Sequence, residues 1–305
     1  MNENFTYFNY FYAKLLSEKT KKKTEIVFVS IAIISFILHL SLILLVDFKV
    51  INLHTSSRFL NNPISSIYTP FSFILIYEVY LLVYYLPKST TIYIGKQYEI
   101  ITLIIIRRIF KDLTSLKFKE DWFSAKENIL FATDLLATLV LFYLIFIFYK
   151  LNRTNEISKA IIQKSVEVTK FIDFKKVIAM ILIPIFLVLS IYSLGSWIYE
   201  SFNISQMVRN IKDINKIFFD EFFTILILIE VLLLLVSFFI SDKFSKVIRN
   251  SGFIISTILI KLSFGTEGFL NTILIVVAVV FGVLILMIHN KYEVLEAKKI
   301  TALEV

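Results

Sequence analysis

Of 305 residues, 57% are hydrophobic and the mean hydropathy is +0.78. That is well above the roughly 45–50% apolar share of soluble domains, which excludes an ordinary water-soluble class. The net charge of +8 comes from Lys and Arg placed between hydrophobic runs, where they fix orientation and meet anionic lipid head groups rather than nucleic acid. With no cysteine, disulfides, thiolate metal sites and thiol chemistry are excluded.

Several runs reach the ~20 apolar residues that cross a bilayer core. They lack the alternation of a barrel strand, so the predicted class is an all-α polytopic membrane protein. Abundant Ile, Phe, Lys and Asn with only six Gly suggests an AT-rich bacterial genome, and hence a bacterial cytoplasmic (inner) membrane.

Residues 1–24 form an aromatic and basic leader. Phe5, Tyr7, Phe8, Tyr10, Phe11 and Tyr12 precede Lys21-Lys22-Lys23, the pattern of an interfacial helix with the N-terminus inside. The first span, Ile26–Val46, is expected to be retained, because no small-residue cleavage site ends it. His39 sits near its middle. A lone histidine there is either hydrogen-bonded to a neighbouring helix or part of a proton path. A polar loop leads to Pro63, which suits the first turn of a new helix.

The second span, Ile64–Leu86, carries Glu78 among apolar residues. Pro70 is expected to kink its early turns, and Pro87 closes it. In Ile92–Phe110, Gly95, Lys96 and Glu99 interrupt the apolar run. This segment reads as a short buried span, a re-entrant segment or a surface helix. After a mixed-charge loop comes the third span, Ile129–Tyr149, with Asp134 near its start. Residues 150–176 are a basic linker with recurring apolar positions, expected to lie as an amphipathic surface helix. The fourth span, Val177–Tyr199, contains Pro184, and the fifth, Phe222–Ile240, contains Glu230. Val247–Phe264 is a second short segment, and Phe269–Ile288 is the last span, with residues 291–305 as a cytoplasmic tail. Ala278 and Gly282, four apart, allow close approach of another helix.

One stretch is written twice. Phe71–Leu82 matches Phe223–Leu234 with Glu78 on Glu230, and Ile100–Phe110 matches Ile254–Phe264 with Thr102 on Ser256 and Arg107 on Lys261. Duplication explains the acid, hydroxyl and base recurring in one order. The expected architecture is two tandem homologous halves, residues 25–149 and 177–290, each with three full spans and one short membrane segment. Eight crossings make the halves parallel and six make them inverted, and basic residues favour the same inside face under both. Eight is preferred, since it keeps the linker inside. Both termini are cytoplasmic in either case.

An ionisable group at a helix centre costs about 2.5–3.5 kcal/mol on insertion scales. Glu78 and Glu230 are therefore the leading candidates for an ion or proton pathway, with Glu99, Asp134 and His39 behind them. Protonated carboxyls bridging helices are the structural alternative. Arg107, Arg108 and Lys261 are expected to be interface anchors, their long stems snorkelling to head groups. Phosphate-binding glycine loops, zinc-protease and serine-hydrolase motifs are absent, so no enzyme activity, cofactor or metal is expected. The expected function is passage of a small cation or protons along an acidic path. The alternatives are a non-transporting subunit that docks a cytoplasmic partner protein and a pore-forming effector, and a homo-oligomer is open throughout.

Overall fold

The computed structural model of the chain describes residues 10–49, 63–113, 116, 125–159, 166–202, 214–239, 244–266 and 268–303. Among them are eight long helices: α1 (Glu18–Asp47), α2 (Tyr68–Tyr85), α3 (Thr90–Leu113), α4 (Lys126–Lys159), α5 (Val166–Phe202), α6 (Ile214–Phe238), α7 (Phe244–Phe264) and α8 (Phe269–Leu303). No strand occurs among the described residues.

Local chemistry sets the helix ends. Ser17 caps α1, its side chain accepting from the Thr20 amide at 3.1 Å, with Glu18 in the first turn where an acid favours the helix dipole. Pro63 opens a 3-10 turn (Pro63–Ile67) that leads into α2. Pro70 then lies in the first turn of α2, where a missing N–H removes no intrahelical bond, so the expected reason for a kink disappears. Ser89 receives the Ile92 amide at the start of α3. Gly268, at φ 66°, makes the left-handed joint between α7 and α8, and the Ser263 carbonyl at the end of α7 accepts from Asn271 Nδ2 and from the amide and hydroxyl of Thr266.

Among the described residues six helical stretches are long and apolar enough to cross a membrane: Tyr10–Asp47, Lys126–Arg153, Val168–Ser193, Glu221–Phe238, Phe244–Phe264 and Phe269–Glu296. The membership differs from the spans expected from sequence. Phe244–Phe264, read as short from sequence, reaches 21 residues because the helix starts before Val247. The second span is shorter than expected, an apolar helix over Thr69–Tyr85, because the chain before it takes the 3-10 turn. Large apolar side chains face outward along these helices, including Leu136, Leu139, Phe142 and Phe146 of α4. Such a continuous apolar surface is stable against hydrocarbon and not against water. The chain is a multi-pass helical membrane protein in a lipid bilayer.

The chain divides into two compact units that interleave in sequence. The first comprises Met1–Leu86, Arg107–Phe131 and Lys176–Phe218, and the second Pro87–Ile106, Ala132–Lys175 and Phe219–Val305. In the first unit α1 packs along α2. Tyrosines tie them together at one end: Tyr80 donates to the Leu15 carbonyl, Tyr84 to Glu18, and Lys21 to Tyr85 Oη at 3.1 Å. The leader is described only from residue 10, and residues 1–9 lie outside the described part.

In the second unit α7 packs along α8. The approach is close at the predicted small residues. Ser256 Oγ donates to the Ala278 carbonyl at 2.7 Å, and a Cβ added at Gly282 would lie 1.7 Å from Tyr98 Oη of α3. α4 continues to Lys159 and α5 begins at Val166, so the two ends of the basic linker are extensions of long helices, and residues 160–165 lie outside the described part.

Candidate functional site

The two acids matched in sequence have different surroundings. In the first unit Glu78 of α2, 3% exposed, forms an ion pair with Arg107 of α3, also 3% exposed. The snorkelling expected of Arg107 does not occur, and its side chain is turned inward. A buried carboxylate offers a guanidinium a charge-assisted hydrogen bond where no water competes, and that outweighs the reach to head groups. Next to this pair Phe71 and Phe110 stack with ring centroids 5.1 Å apart.

In the second unit Glu230 of α6 has no cationic hydrogen-bond partner of this kind. Its Oε1 accepts from Gln97 Nε2 of α3, and the Gln97 Oε1 accepts from Thr257 Oγ1 of α7 at 3.0 Å. The carboxylate, which can only accept, draws the amide NH2 toward itself, and the threonine hydroxyl supports that orientation by donating to the amide oxygen. Among the described residues neither Glu230 Oε2 nor Tyr93 Oη, one helical turn before Gln97, has a hydrogen bond of normal geometry, though the phenol and the carboxyl act on each other. Leaving a buried acceptor unsatisfied costs about 1–3 kcal/mol.

A cavity of about 30 Å³ adjoins this carboxyl, lined by Thr90, Tyr93, Lys175, Glu230, Ser237 and Asn250 among apolar neighbours. One water needs about 10–15 Å³ of such space, so water fits. Lys175 of α5 is only 4% exposed, donates to the Lys88 carbonyl at 3.2 Å, and acts electrostatically on Glu230. Phe223 and Phe264 stack in this unit at 5.3 Å, the positions matched in sequence to Phe71 and Phe110.

The remaining predicted residues are engaged elsewhere. His39 is half-buried and hydrogen-bonded to Thr69. Glu99 accepts from Lys96 and from Tyr149 Oη, each at 2.6 Å. Asp134, 2% exposed, accepts from Thr272 Oγ1 at 2.7 Å. Arg108 and Lys261 are half-buried, near the ends of α3 and α7. Among the described residues no cluster of three or more His, Asp or Glu could hold a metal.

No family model, curated protein or solved structure matches this chain. What the site can do therefore follows from its own geometry. Sequence reasoning missed Tyr93, Gln97, Lys175 and Thr257. One signal was available: Thr90, Tyr93 and Gln97 recur at helical spacing, a polar stripe on one face of α3 within the segment that charge had set apart. Lys175 carried no such signal, since a cation in a basic linker reads as exposed until the packing is known.

Proposed function

We propose that this membrane protein passes protons across the bilayer through its second unit, with Glu230 as the group that takes up and releases them. The observation that carries the reading is the buried Glu230 Oε2, without a hydrogen bond of normal geometry, beside a water-sized cavity. Gln97 holds Oε1 in place, so a proton arriving through cavity water adds at Oε2 and leaves by the same atom. Tyr93 Oη, which acts on the carboxyl, is placed to exchange a hydrogen bond with it as its charge changes. Lys175 offsets the negative charge of the deprotonated state.

A metal cation is the weaker passenger. Hard cations favour sites with several carboxylates among their oxygen ligands, whereas this cavity offers one carboxyl beside neutral hydroxyl and amide oxygens, and an ammonium that repels cations. In the first unit the Glu78–Arg107 pair is read as structural. Glu99, Asp134 and His39 are each held by partners and are read the same way.

The broader reading keeps a duplicated chain in a bacterial inner membrane, with eight crossings and both termini cytoplasmic. The two phenylalanine stacks at matched positions support the duplication. Thiol labelling of single cysteines at Lys117 and Lys159 tests the topology, because only eight crossings put the first outside and the second inside.

The functional test is proton flux in proteoliposomes. Glu230→Gln is expected to abolish flux while the protein stays folded, and wild-type flux in that variant removes Glu230 from the mechanism. Absence of flux in the wild type, together with a stably co-purifying protein, favours a docking subunit instead.

A further inference from the structure

Next to the cavity, α7 and α8 carry a second polar cluster that the proton path does not use. His289 of α8 is buried at 2% exposure. Its Nδ1 lies 3.1 Å from the Ser245 carbonyl of α7, which can only accept, so Nδ1 carries a hydrogen in every protonation state. Its Nε2 lies 3.2 Å from Arg249 Nη1 of α7 and also 3.2 Å from Glu293 Oε1, one turn along α8.

One nitrogen cannot serve both neighbours. As a neutral imidazole, Nε2 has a lone pair that accepts from Arg249 and repels the Glu293 carboxylate. As an imidazolium, Nε2–H donates to Glu293 and faces the guanidinium with a like charge. Glu296 accepts from Ser245 Oγ at 3.2 Å, and Asn290, beside the histidine, donates to the Leu151 carbonyl of α4 at 3.0 Å. The charges that bear on the choice at Nε2 are Glu293, which also attracts Arg249, and Arg249, which Lys175 of α5 repels.

Arg249 is also tied to the cavity. Its Nε and Nη2 donate to Asn250 Oδ1 at 3.2 and 3.0 Å, and Asn250 lines the cavity beside Glu230. We propose that His289 is a proton-operated latch on that cavity. A proton from the aqueous side adds to Nε2, the Arg249–Nε2 hydrogen bond breaks, the Nε2–Glu293 bond forms, and the released guanidinium shifts Asn250 and opens the cavity. Glu293 supplies the entry, since its side chain is 24% exposed while that of His289 is 1% exposed. The latch's role in flux rests on the Glu230 reading, but its existence does not.

The chain has no cysteine, so Ser237→Cys places a single thiol in the cavity wall. The probe is methyl methanethiosulfonate on the purified full chain, its initial labelling rate compared at about pH 5 and about pH 8, the interval in which histidine titrates. Each rate is divided by the rate in Ser237→Cys with His289→Gln, which cancels the thiol's own titration. The ratio is expected to rise at least about threefold on acidification, the population change that one net hydrogen bond commands. A flat ratio overturns the latch. If His289→Gln does not fold, Glu293→Gln serves as the reference, since it keeps the imidazole and removes the acceptor. A ratio to it that fails to rise likewise overturns the proposal. Labelling does not depend on flux, so failure here and failure of the Glu230 path are separately visible.

Discussion

Glu78 and Glu230 begin from the same sequence context and end in opposite states. Around Glu78 the matched base, Arg107, turns inward and closes the carboxyl in a buried ion pair. Around Glu230 the matched base, Lys261, is half-buried near the end of α7, and the carboxyl, which lines a cavity, is held by an amide at one oxygen while the other is buried. The difference is one of reversibility. A carboxylate paired with a guanidinium can be protonated only by leaving a buried cation unpaired, whereas one held by Gln97 can gain and lose a proton while its neighbours keep their bonds. Positions matched in sequence can therefore have unlike surroundings.

The comparison is broken most forcefully at Arg107. Arg107→Ala leaves Glu78 buried without its guanidinium and is expected to cost about 3–5 kcal/mol, measured by reversible unfolding in mixed micelles. The double variant Glu78→Leu with Arg107→Met removes both charges together and should recover most of that loss with proton flux unchanged. A double variant as unstable as Arg107→Ala alone contradicts the structural role given to the pair.

The second region is probed by its packing. Gly282→Ala pushes a methyl group into Tyr98 Oη and should destabilise by about 1–3 kcal/mol in the same assay. Adding Tyr98→Phe should relieve part of the loss, and no relief would mean that the clash lies elsewhere. The smallest effect belongs to Thr257→Val, which removes the hydroxyl that orients Gln97. It should cost about 0.5–1.5 kcal/mol and slow flux a few-fold, since the amide can then flip away from Glu230.

Much of this architecture was legible before the structure. Hydropathy located the helices, because length and apolarity alone decide what a bilayer admits, and the Ala278–Gly282 spacing pointed to a close helix contact that is present. Glu230 stood out because an acid in an apolar run is conspicuous. Its partners were not legible. Gln97 lay in a segment whose charges disguised its polar face, Lys175 in a linker whose basic character suggested exposure, and Arg107 at a helix end where snorkelling is the ordinary outcome. In each case the side chain's direction is set by the neighbouring helix, and one sequence does not say which helices are neighbours. The compact units make the same point, since each draws on both sequence halves.

The nesting of the Tyr98 hydroxyl against Gly282 has a consequence for recognising kin of this protein. Position 282 has no room for a side chain while position 98 keeps its ring, so drift at either site is tied to the other. Distant cousins whose overall likeness has faded should still show a joint signature: a hydroxylated aromatic on the third long helix together with the smallest residue on the last.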